Sequence, residues 1–226
     1  MKTEAIIVAA GSGKRMKSKL PKQFISIGGK TILAWSVTKL LSVPEIKKII
    51  LVAPSAYNIK YAPYILPIAH HKVKIVEGGK QRADSVKAGL AHISSDCGLV
   101  LIHDAVRPLI KSADIKKCIS AGKKSGAAIA AAPCTDTVKL SRNNGSVHKT
   151  LDRSKIWLVQ TPQVFAKKYL DNVFKIKNIP DVTDDSQLIE KLGKKVMLVN
   201  VGSYNRKITQ KEDLLFAESQ IKSYKS

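Results

Sequence analysis

The segment from Ala5 to Gln23 reads AIIVAAGSGKRMKSKLPKQ, and its successive parts predict how the chain folds. Its first six residues, Ala5 to Ala10, are apolar, which is typical of a buried strand. Glycines at positions 11 and 13 follow, where the backbone can turn sharply and approach a ligand closely. Five lysine and arginine side chains then lie between residues 14 and 22. This combination favours polyphosphate binding, although a βα turn followed by a solvated basic loop remains an alternative.

Two common phosphate-binding loops are excluded by the spacing of these glycines. The Walker loop needs four residues between one glycine and a following glycine-lysine pair, and the segment has no such run. The dinucleotide-binding loop needs a third small residue, and Met16 occupies that position. The segment therefore predicts a phosphate-binding loop of another type.

Size and composition predict one α/β domain that covers residues 1–226, with two small domains as the alternative. Hydrophobic residues make up 44% of the chain, and no apolar run approaches the ~18 residues of a membrane-spanning helix. The three cysteines, at positions 97, 118 and 134, show no metal-binding spacing, and no signal peptide is evident. We therefore expect reduced thiols and a cytoplasmic protein.

The chain is strongly basic, with 39 lysine and arginine residues against 17 acidic ones and a formal net charge of +22. Such an excess is often found in proteins that bind nucleic acids. However, the lysines are scattered along the chain, and only 5% of the residues are aromatic, so a base-stacking surface is not expected. We expect anionic small-molecule substrates and no nucleic acid, with a nucleic-acid-binding module as the alternative.

Hydrophobic periodicity predicts strands and helices that alternate along the chain. The strands are almost continuously apolar, which favours a Rossmann-like, mostly parallel sheet with helices on both faces. Thr31 is expected to cap the first helix, and Thr209 with Glu212 is expected to form a capping box at the last. The predicted strands are 5–10, 46–53, 72–76, 99–103, 127–132 and 196–201, and the predicted helices are 31–43, 82–93, 112–124, 166–175, 186–192 and 211–222.

Residues 136–158 interrupt this alternation and predict a projecting β-hairpin arm. Two short polar strands flank Asn143-Asn144-Gly145, which is a hairpin-turn signal. An isolated hairpin is only marginally stable, so we expect the arm to pack on another surface, and a partner subunit is a reasonable candidate.

The residues that suggest chemistry lie at the carboxyl ends of predicted strands, where open α/β sheets bind ligands. Three groups are involved: Ala9 to Gly11, Gly78 to Ser85 and His103 to Pro108. Each group has a structural alternative, such as a turn, a helix cap or an ion pair. Their occurrence at three strand ends favours one common site.

These motifs, in this order, resemble the 2-C-methyl-D-erythritol 4-phosphate cytidylyltransferases, a family of sugar-type nucleotidyltransferases. The first loop matches the pattern AAG-x-G-x-R-M followed by PKQ, which is far more specific than a lone Gly-x-Gly. The matches are spread over about 200 residues, which argues against coincidence. The other matching segments are Gly78 to Ser85, His103 to Pro108, Asp136-Thr137, Asp152-Arg153, Thr161-Pro162-Gln163, Thr183-Asp184-Asp185 and Asn205 to Thr209.

The resemblance implies an enzyme of the non-mevalonate isoprenoid pathway that transfers a cytidylyl group from CTP to methylerythritol phosphate. It also implies Mg²⁺ or another divalent cation as cofactor, and a homodimer in which the arm crosses to the other subunit. By the same resemblance, Arg15 and Lys22 are catalytic, and Asp104 lies near the metal. The implied substrate-positioning residues are Arg107, Thr137, Arg153, Thr161, Thr183 and Lys207, and the implied nucleotide-binding residues are Ala9, Ala10, Gly11, Gly13, Lys14, Arg15, Lys22, Gly79, Ser85, Asp104 and Ala105.

Two positions depart from the family pattern. Lys80 stands where an acidic residue is common, which leaves selection of the base to nearby backbone groups and Ser85. Arg206 stands where an apolar residue is usual, and the sequence supplies no reason for it. Ribitol-5-phosphate cytidylyltransferases share the first loop and the HDAVRP segment and remain an alternative, although AAGSG and RADSV favour the methylerythritol enzymes. A non-catalytic nucleotide-binding protein with the same fold is a further alternative.

Overall fold

The structure, a computed structural model, describes residues 1–11, 20–54, 61–68, 70–175, 182 and 184–223. Its strands are β1 (Thr3–Val8), β2 (Ser26–Ile27), β3 (Lys30–Thr31), β4 (Ile46–Ala53), β5 (Val73–Glu77), β6 (Leu99–Asp104), β7 (Ala127–Pro133), β8 (Lys139–Ser141), β9 (Val147–Thr150), β10 (Trp157–Ala166) and β11 (Met197–Asn200). Its helices are α1 (Ile32–Leu41), α2 (Ala62–Ile65), α3 (Arg82–Leu90), α4 (Ser112–Ser125), α5 (Lys167–Val173), α6 (Ser186–Lys191) and α7 (Lys211–Ser223).

A seven-stranded sheet with the order β11-β7-β10-β6-β1-β4-β5 forms the centre of the molecule. Neighbouring strands run parallel except at β10, which is antiparallel to both β6 and β7. The predicted mostly parallel sheet is therefore confirmed. Consecutive residues of β1 pack on opposite faces: Ile7 joins the cluster that contains Val37 of α1 and Ile115 of α4. Ile6 joins the cluster that contains Val86 of α3. Helices thus cover both faces, as the apolar strands require.

The long strand β10 was not predicted. Its residues Gln160, Thr161 and Gln163 are polar but buried, and Pro162 interrupts what otherwise reads as a strand. The pairing with β7 shifts register between Val159 and Gln163, and a proline is tolerated in a central strand at such an irregularity. The first two residues of β10, at 157 and 158, also lie within the range we assigned to the arm.

The short elements β2, β3 and α2 were not predicted either, and the predicted strands and helices differ from the observed ones mainly at their ends. Thr31 caps α1 as predicted, because its hydroxyl accepts a hydrogen bond from the Ala34 amide at 3.1 Å. The predicted pairing of Thr209 with Glu212 at the start of α7 is wrong. Asp213 accepts the hydrogen bonds from the amide and the hydroxyl of Thr209 instead, both at 2.8 Å. No helix in the described part of the chain is both long and apolar enough to span a membrane.

Candidate active site

A cleft with a volume of about 340 Å³ lies at the carboxyl ends of β1, β5 and β6. The three sequence groups predicted to share a site are brought together in its wall. The predicted site residues that line it are Ala9, Ala10, Gly11, Lys22, Gly79, Ser85, Asp104, Ala105 and Lys207. Four further predicted residues, Gly13, Lys14, Arg15 and Thr183, lie outside the described residues.

The glycines between β5 and α3 are needed by the close packing of the cleft. A Cβ atom at Gly78 would overlap the Cβ of Ala10, and one at Gly79 would overlap the side chain of Asp84. The Gly79 amide donates to the Ser85 hydroxyl at 3.2 Å, which ties the turn to the first part of α3. The turn therefore brings bare backbone to the edge of the cleft, where a ligand can approach it closely.

Gln23 fixes the other side of the cleft, and no role was predicted for it. Its side-chain amide is buried and donates to the carbonyls of Ala9, at 2.7 Å, and Gly11, at 3.0 Å. These bonds hold the residues that follow β1, Ala9 and Gly11, against the turn Lys22–Phe24. The PKQ motif contains this glutamine, but the motif does not predict that its side chain binds the backbone after β1.

Asp104, at the end of β6, is surrounded by three cationic side chains, one from its own segment and two from distant parts of the chain. Its carboxylate lies 2.8 Å from Nζ of Lys207, 3.6 Å from Nε of Arg107 and 3.6 Å from Nη2 of Arg82. Burial alone would raise the pKa of Asp104, but the charges of Lys207, Arg82 and Arg107 hold it well below its ordinary value. Asp104 is therefore ionised at every physiological pH.

Arg82 bridges two carboxylates, and the sequence predicts no role for it. Its Nη1 lies 2.8 Å from the buried Asp185, at the start of α6, while Nη2 faces Asp104. Burial would lower the pKa of Arg82, but Asp185 and Asp104 raise it. Burial raises the pKa of Asp185 despite this pairing. Only the position of Arg82, shortly after two glycines, could have marked it in the sequence.

A buried hydrogen-bond chain sets the backbone of Asp104. The Asp104 amide donates to the Thr161 hydroxyl at 3.0 Å, and that hydroxyl lies 3.0 Å from Nδ1 of His103. Nε2 of His103 lies 3.2 Å from the Arg107 carbonyl, which only accepts, so Nε2 carries the hydrogen and Nδ1 accepts from Thr161. Burial lowers the pKa of His103 to about 4, so the ring is neutral at pH 7.

A second cavity, of about 430 Å³, adjoins the cleft and shares Arg82, Asp104 and Lys207 with it. Arg107 and Thr161 also line this cavity. The Arg107 guanidinium is held in place by the Asn205 carbonyl at 2.9 Å. Asp104 and its cations thus stand at the junction of two cavities.

The arm residues do not reach either cavity. In the described part of the chain, neither Thr137 nor Arg153 is among the residues that line the two spaces. The Arg153 guanidinium donates to the Thr135 carbonyl at 2.7 Å, at the base of the arm. The predicted substrate residues therefore divide into a group at the junction and a group on the arm.

The two departures from the family pattern have different settings. Lys80 lines the cleft, next to the turn at Gly79. The Arg206 guanidinium lies over the Phe216 ring of α7, with 4.7 Å between its carbon and the ring centroid. This cation–π contact accounts for an arginine beside Lys207.

The family model for 2-C-methyl-D-erythritol 4-phosphate cytidylyltransferase matches residues 3–223 of this chain. The chain belongs to this family. Enzymes of that name from Endomicrobium trichonymphae and Haemophilus influenzae (strain PittGG) are each 40% identical to it; the alignments cover 99% and 95% of this chain and 100% and 94% of the relatives. The chain is accordingly a nucleotidyltransferase of the non-mevalonate isoprenoid pathway.

Solved structures agree with this family assignment. The 4-diphosphocytidyl-2C-methyl-D-erythritol synthase from Anaerococcus prevotii DSM 20548 superposes with a TM-score of 0.84 at 34% identity, covering 97% of this chain and 98% of that one. The cytidylyltransferase from Thermus thermophilus superposes with a TM-score of 0.80 at 28% identity, covering 98% and 100% of the two chains. The cleft described above therefore belongs to a cytidylyltransferase fold.

Proposed function

We propose that the two cavities bring CTP and 2-C-methyl-D-erythritol 4-phosphate together at Asp104, and that the products are 4-diphosphocytidyl-2-C-methyl-D-erythritol and pyrophosphate. The observation that carries this proposal is the junction itself. Lys207 and Arg82 from distant parts of the chain, and Arg107 from the segment of Asp104 itself, meet there between a cleft edged with bare backbone and a polar cavity. Two phosphate groups that must approach each other need fixed positive charge at their meeting point.

The reaction is an in-line displacement at the α-phosphorus of CTP. An oxygen of the sugar phosphate forms the new bond, and the bond from the α-phosphorus to the bridging oxygen breaks, with its electron pair leaving on pyrophosphate. The second pKa of a phosphate monoester is about 6, so the nucleophile is already an anion at neutral pH. No general base is required. The neutral, buried His103 instead has a structural role, because it binds the Thr161 hydroxyl and the Arg107 carbonyl.

In this scheme the protein contributes position and charge. The backbone at Ala9, Ala10, Gly11, Gly79 and Ala105, with Ser85, binds the nucleoside part of CTP. Gly13 and Lys14 bind its triphosphate, and Arg15 and Lys22 stabilise the charge that builds up in the transition state. Lys22 is the member of this pair that the structure describes, and it lines the cleft.

Asp104 also fits a metal-binding role, because it is an ionised oxygen ligand at the cleft wall. No group of three or more potential metal ligands occurs among the described residues, so a cation here would be held mainly by nucleotide phosphates and water. When Mg²⁺ or a similar cation is bound, it neutralises charge on those phosphates.

We propose that Lys207 and Arg107, which line the second cavity, bind the sugar phosphate. Thr183, Thr137 and Arg153 are proposed to bind it as well. Thr161 contributes through Asp104, since its hydroxyl is already engaged by the Asp104 amide and His103. Because Thr137 and Arg153 lie on the arm, we propose a homodimer in which the arm of one subunit completes the site of the other. The exposed apolar side chains of the arm support this arrangement.

We also propose that the enzyme acts in the cytoplasm and on small molecules, without binding nucleic acid. Its three cysteines are all unpaired, which suits a reducing compartment.

The decisive experiment measures pyrophosphate release with a panel of nucleotides and polyol phosphates. We expect release with CTP that depends on both methylerythritol phosphate and a divalent cation. Faster turnover of ribitol 5-phosphate would favour the related ribitol enzymes instead. A folded sample that binds CTP but never releases pyrophosphate would contradict the proposal and favour a non-catalytic role.

A further inference from the structure

A second charged pocket lies at the opposite edge of the sheet from the cleft, at the amino ends of β1, β4 and β5. These neighbouring strands run parallel, so residues at their beginnings meet along one edge. Lys2 and Lys72 immediately precede β1 and β5, Lys47 and Lys48 are the second and third residues of β4, and Lys74 is the second residue of β5. All five line a cavity of about 410 Å³, which we call the lysine pocket.

The charge of the lysine pocket is largely unneutralised. Its carboxylate, Glu4, is fully buried, lies 3.1 Å from Lys2 and accepts a hydrogen bond from the Ser94 amide at 3.0 Å. Asp96 lies 2.8 Å from the same lysine. Within the residues that the structure describes, no ion pair joins the other four lysines of the pocket to a carboxylate.

Several of these ammonium groups are held in place by neutral partners. Lys48 donates to the His92 carbonyl at 2.8 Å, and Lys74 lies 3.0 Å from Nδ1 of the same histidine. Lys47 donates to the Pro44 carbonyl at 2.9 Å. Desolvation, followed by the charges of Lys74 and Lys48, lowers the pKa of His92, as expected in a region of positive potential. Three of the lysine side chains of the pocket are therefore held in place by hydrogen bonds that leave their positive charge unneutralised.

We propose that the lysine pocket is a second anion-binding site, separate from the active site, that takes a short polyphosphate chain. Such a chain carries several negative charges in a row, which matches four lysines from two adjacent strands, and lysine binds phosphate as a point charge. The volume falls in the ~300–1,000 Å³ range of small-ligand sites. His71 is the one ring system in its described lining, so the pocket selects ligands by their phosphates, free or attached to a nucleoside.

The test is to titrate inorganic tripolyphosphate into the full-length chain while following backbone amides by NMR and heat by calorimetry. We expect shifts at residues 47–48 and 72–74 in addition to any at residues 9–11 of the cleft. ATP should bind the pocket about as tightly as tripolyphosphate, and an ATP affinity more than tenfold higher would contradict recognition by phosphate alone.

Matched variants separate a local site from overall charge. Lys72→Gln/Lys74→Gln should weaken binding at the pocket by about tenfold or more. Lys123→Gln/Lys124→Gln removes the same charge from exposed positions on α4 and should change it by less than about twofold. Turnover of CTP should stay within about twofold of wild type in both variants, because neither pair lines the cleft.

Three outcomes would overturn the proposal: shifts confined to the cleft, equal weakening in both variants, or displacement of tripolyphosphate by a short DNA duplex that binds more tightly. If the glutamine variant misfolds, Lys72→Arg/Lys74→Arg provides the check. It keeps the charge, so it should retain binding within about threefold, and loss of binding from this folded variant would also contradict the proposal.

Discussion

The junction at Asp104 and the β8–β9 arm differ in how completely one chain builds them. Asp104 is only 7% exposed and lies close to three cations, two of them from distant parts of the sequence, while its backbone is fixed by Thr161. On the arm, every residue of β8 and β9 is exposed, and the Arg153 guanidinium donates to the Thr135 carbonyl at the base of the arm. The junction is thus preorganised before any substrate binds. The arm residues Thr137 and Arg153, in contrast, line neither of the two cavities described in this chain.

The largest effect is expected at the cleft, from Lys22→Ala. Loss of a fixed cation beside the phosphates should lower kcat about 10²- to 10³-fold, with a smaller change in the KM for CTP. Steady-state kinetics with pyrophosphate detection measures both constants. Lys80→Ala is the matched control, since Lys80 lines the same cleft, and its kcat should stay within about fivefold of wild type. Equal losses in the two variants would remove Lys22 from the transition state.

A second prediction tests the buried support of the junction through pH. The pKa of His103 falls from 6.5 to about 4 on folding, so between these values the unfolded chain binds the proton and the folded chain does not. The free energy of unfolding should therefore fall as pH drops below 6.5, by about 2 kcal/mol at pH 5 from this residue alone. His103→Gln should be less stable at pH 7 but should lose about 2 kcal/mol less between pH 7 and pH 5.

Urea unfolding at both pH values measures this difference. His148→Gln, on the exposed arm, is the control and should keep the wild-type pH dependence. The same slope in wild type and His103→Gln would mean that His103 does not stay neutral when folded.

The same contrast explains what the sequence can reveal. Apolar strands such as β1 and β6 are evident because their residues face two helical layers, so hydrophobicity alone marks them. Strand β10 is equally central, but it carries buried polar side chains. Their hydrogen-bonding groups are paired with residues that are distant in sequence. Gln160, for example, donates to the Gly202 carbonyl, and Gln163 donates to Asp184. Such bonds depend on tertiary contacts, so no local pattern predicts the strand.

The site shows a similar division. The positions of three motifs at strand ends marked the backbone of the cleft, Asp104 and Arg107, whereas Lys207 was marked only by the family resemblance. They did not reveal that Gln23 binds the carbonyls of Ala9 and Gly11, nor that Arg82 links Asp104 to Asp185. Both roles depend on partners that are distant in sequence, and a family pattern states which residue is present but not what it holds.

The third prediction concerns the arm. Arg153→Ala should raise the KM for methylerythritol phosphate about tenfold or more, since a charge-assisted contact to the phosphate is lost, and should change kcat by less than about threefold. Arg142→Ala, also on the arm and bonded to the Val147 carbonyl, is the control and should change neither constant by more than about twofold.

Mixing two variants that are both impaired at low methylerythritol phosphate concentration sharpens this prediction. In a dimer of a Lys22→Ala chain and an Arg153→Ala chain, one site would combine the intact cleft of one subunit with the intact arm of the other. Random exchange of equal amounts should then restore about a quarter of the wild-type sites, measured at low methylerythritol phosphate concentration. No recovery after verified subunit exchange would mean that each arm serves its own cleft.

The smallest effect on the isolated chain is expected from the apolar side chains of the arm. Leu140 and Val147 are 43% and 55% exposed, so Leu140→Ala/Val147→Ala should change the free energy of unfolding of a monomer by less than about 0.5 kcal/mol. If these side chains are buried against a partner, the same variant should weaken dimerisation by about 1–3 kcal/mol, because that burial is lost. Sedimentation equilibrium measures the dimer dissociation constant, and Leu215→Ala, exposed on α7, is the control. An unchanged constant in the arm variant would show that the arm does not pack on a second subunit, and it would leave the junction at Asp104 as the whole of the substrate site.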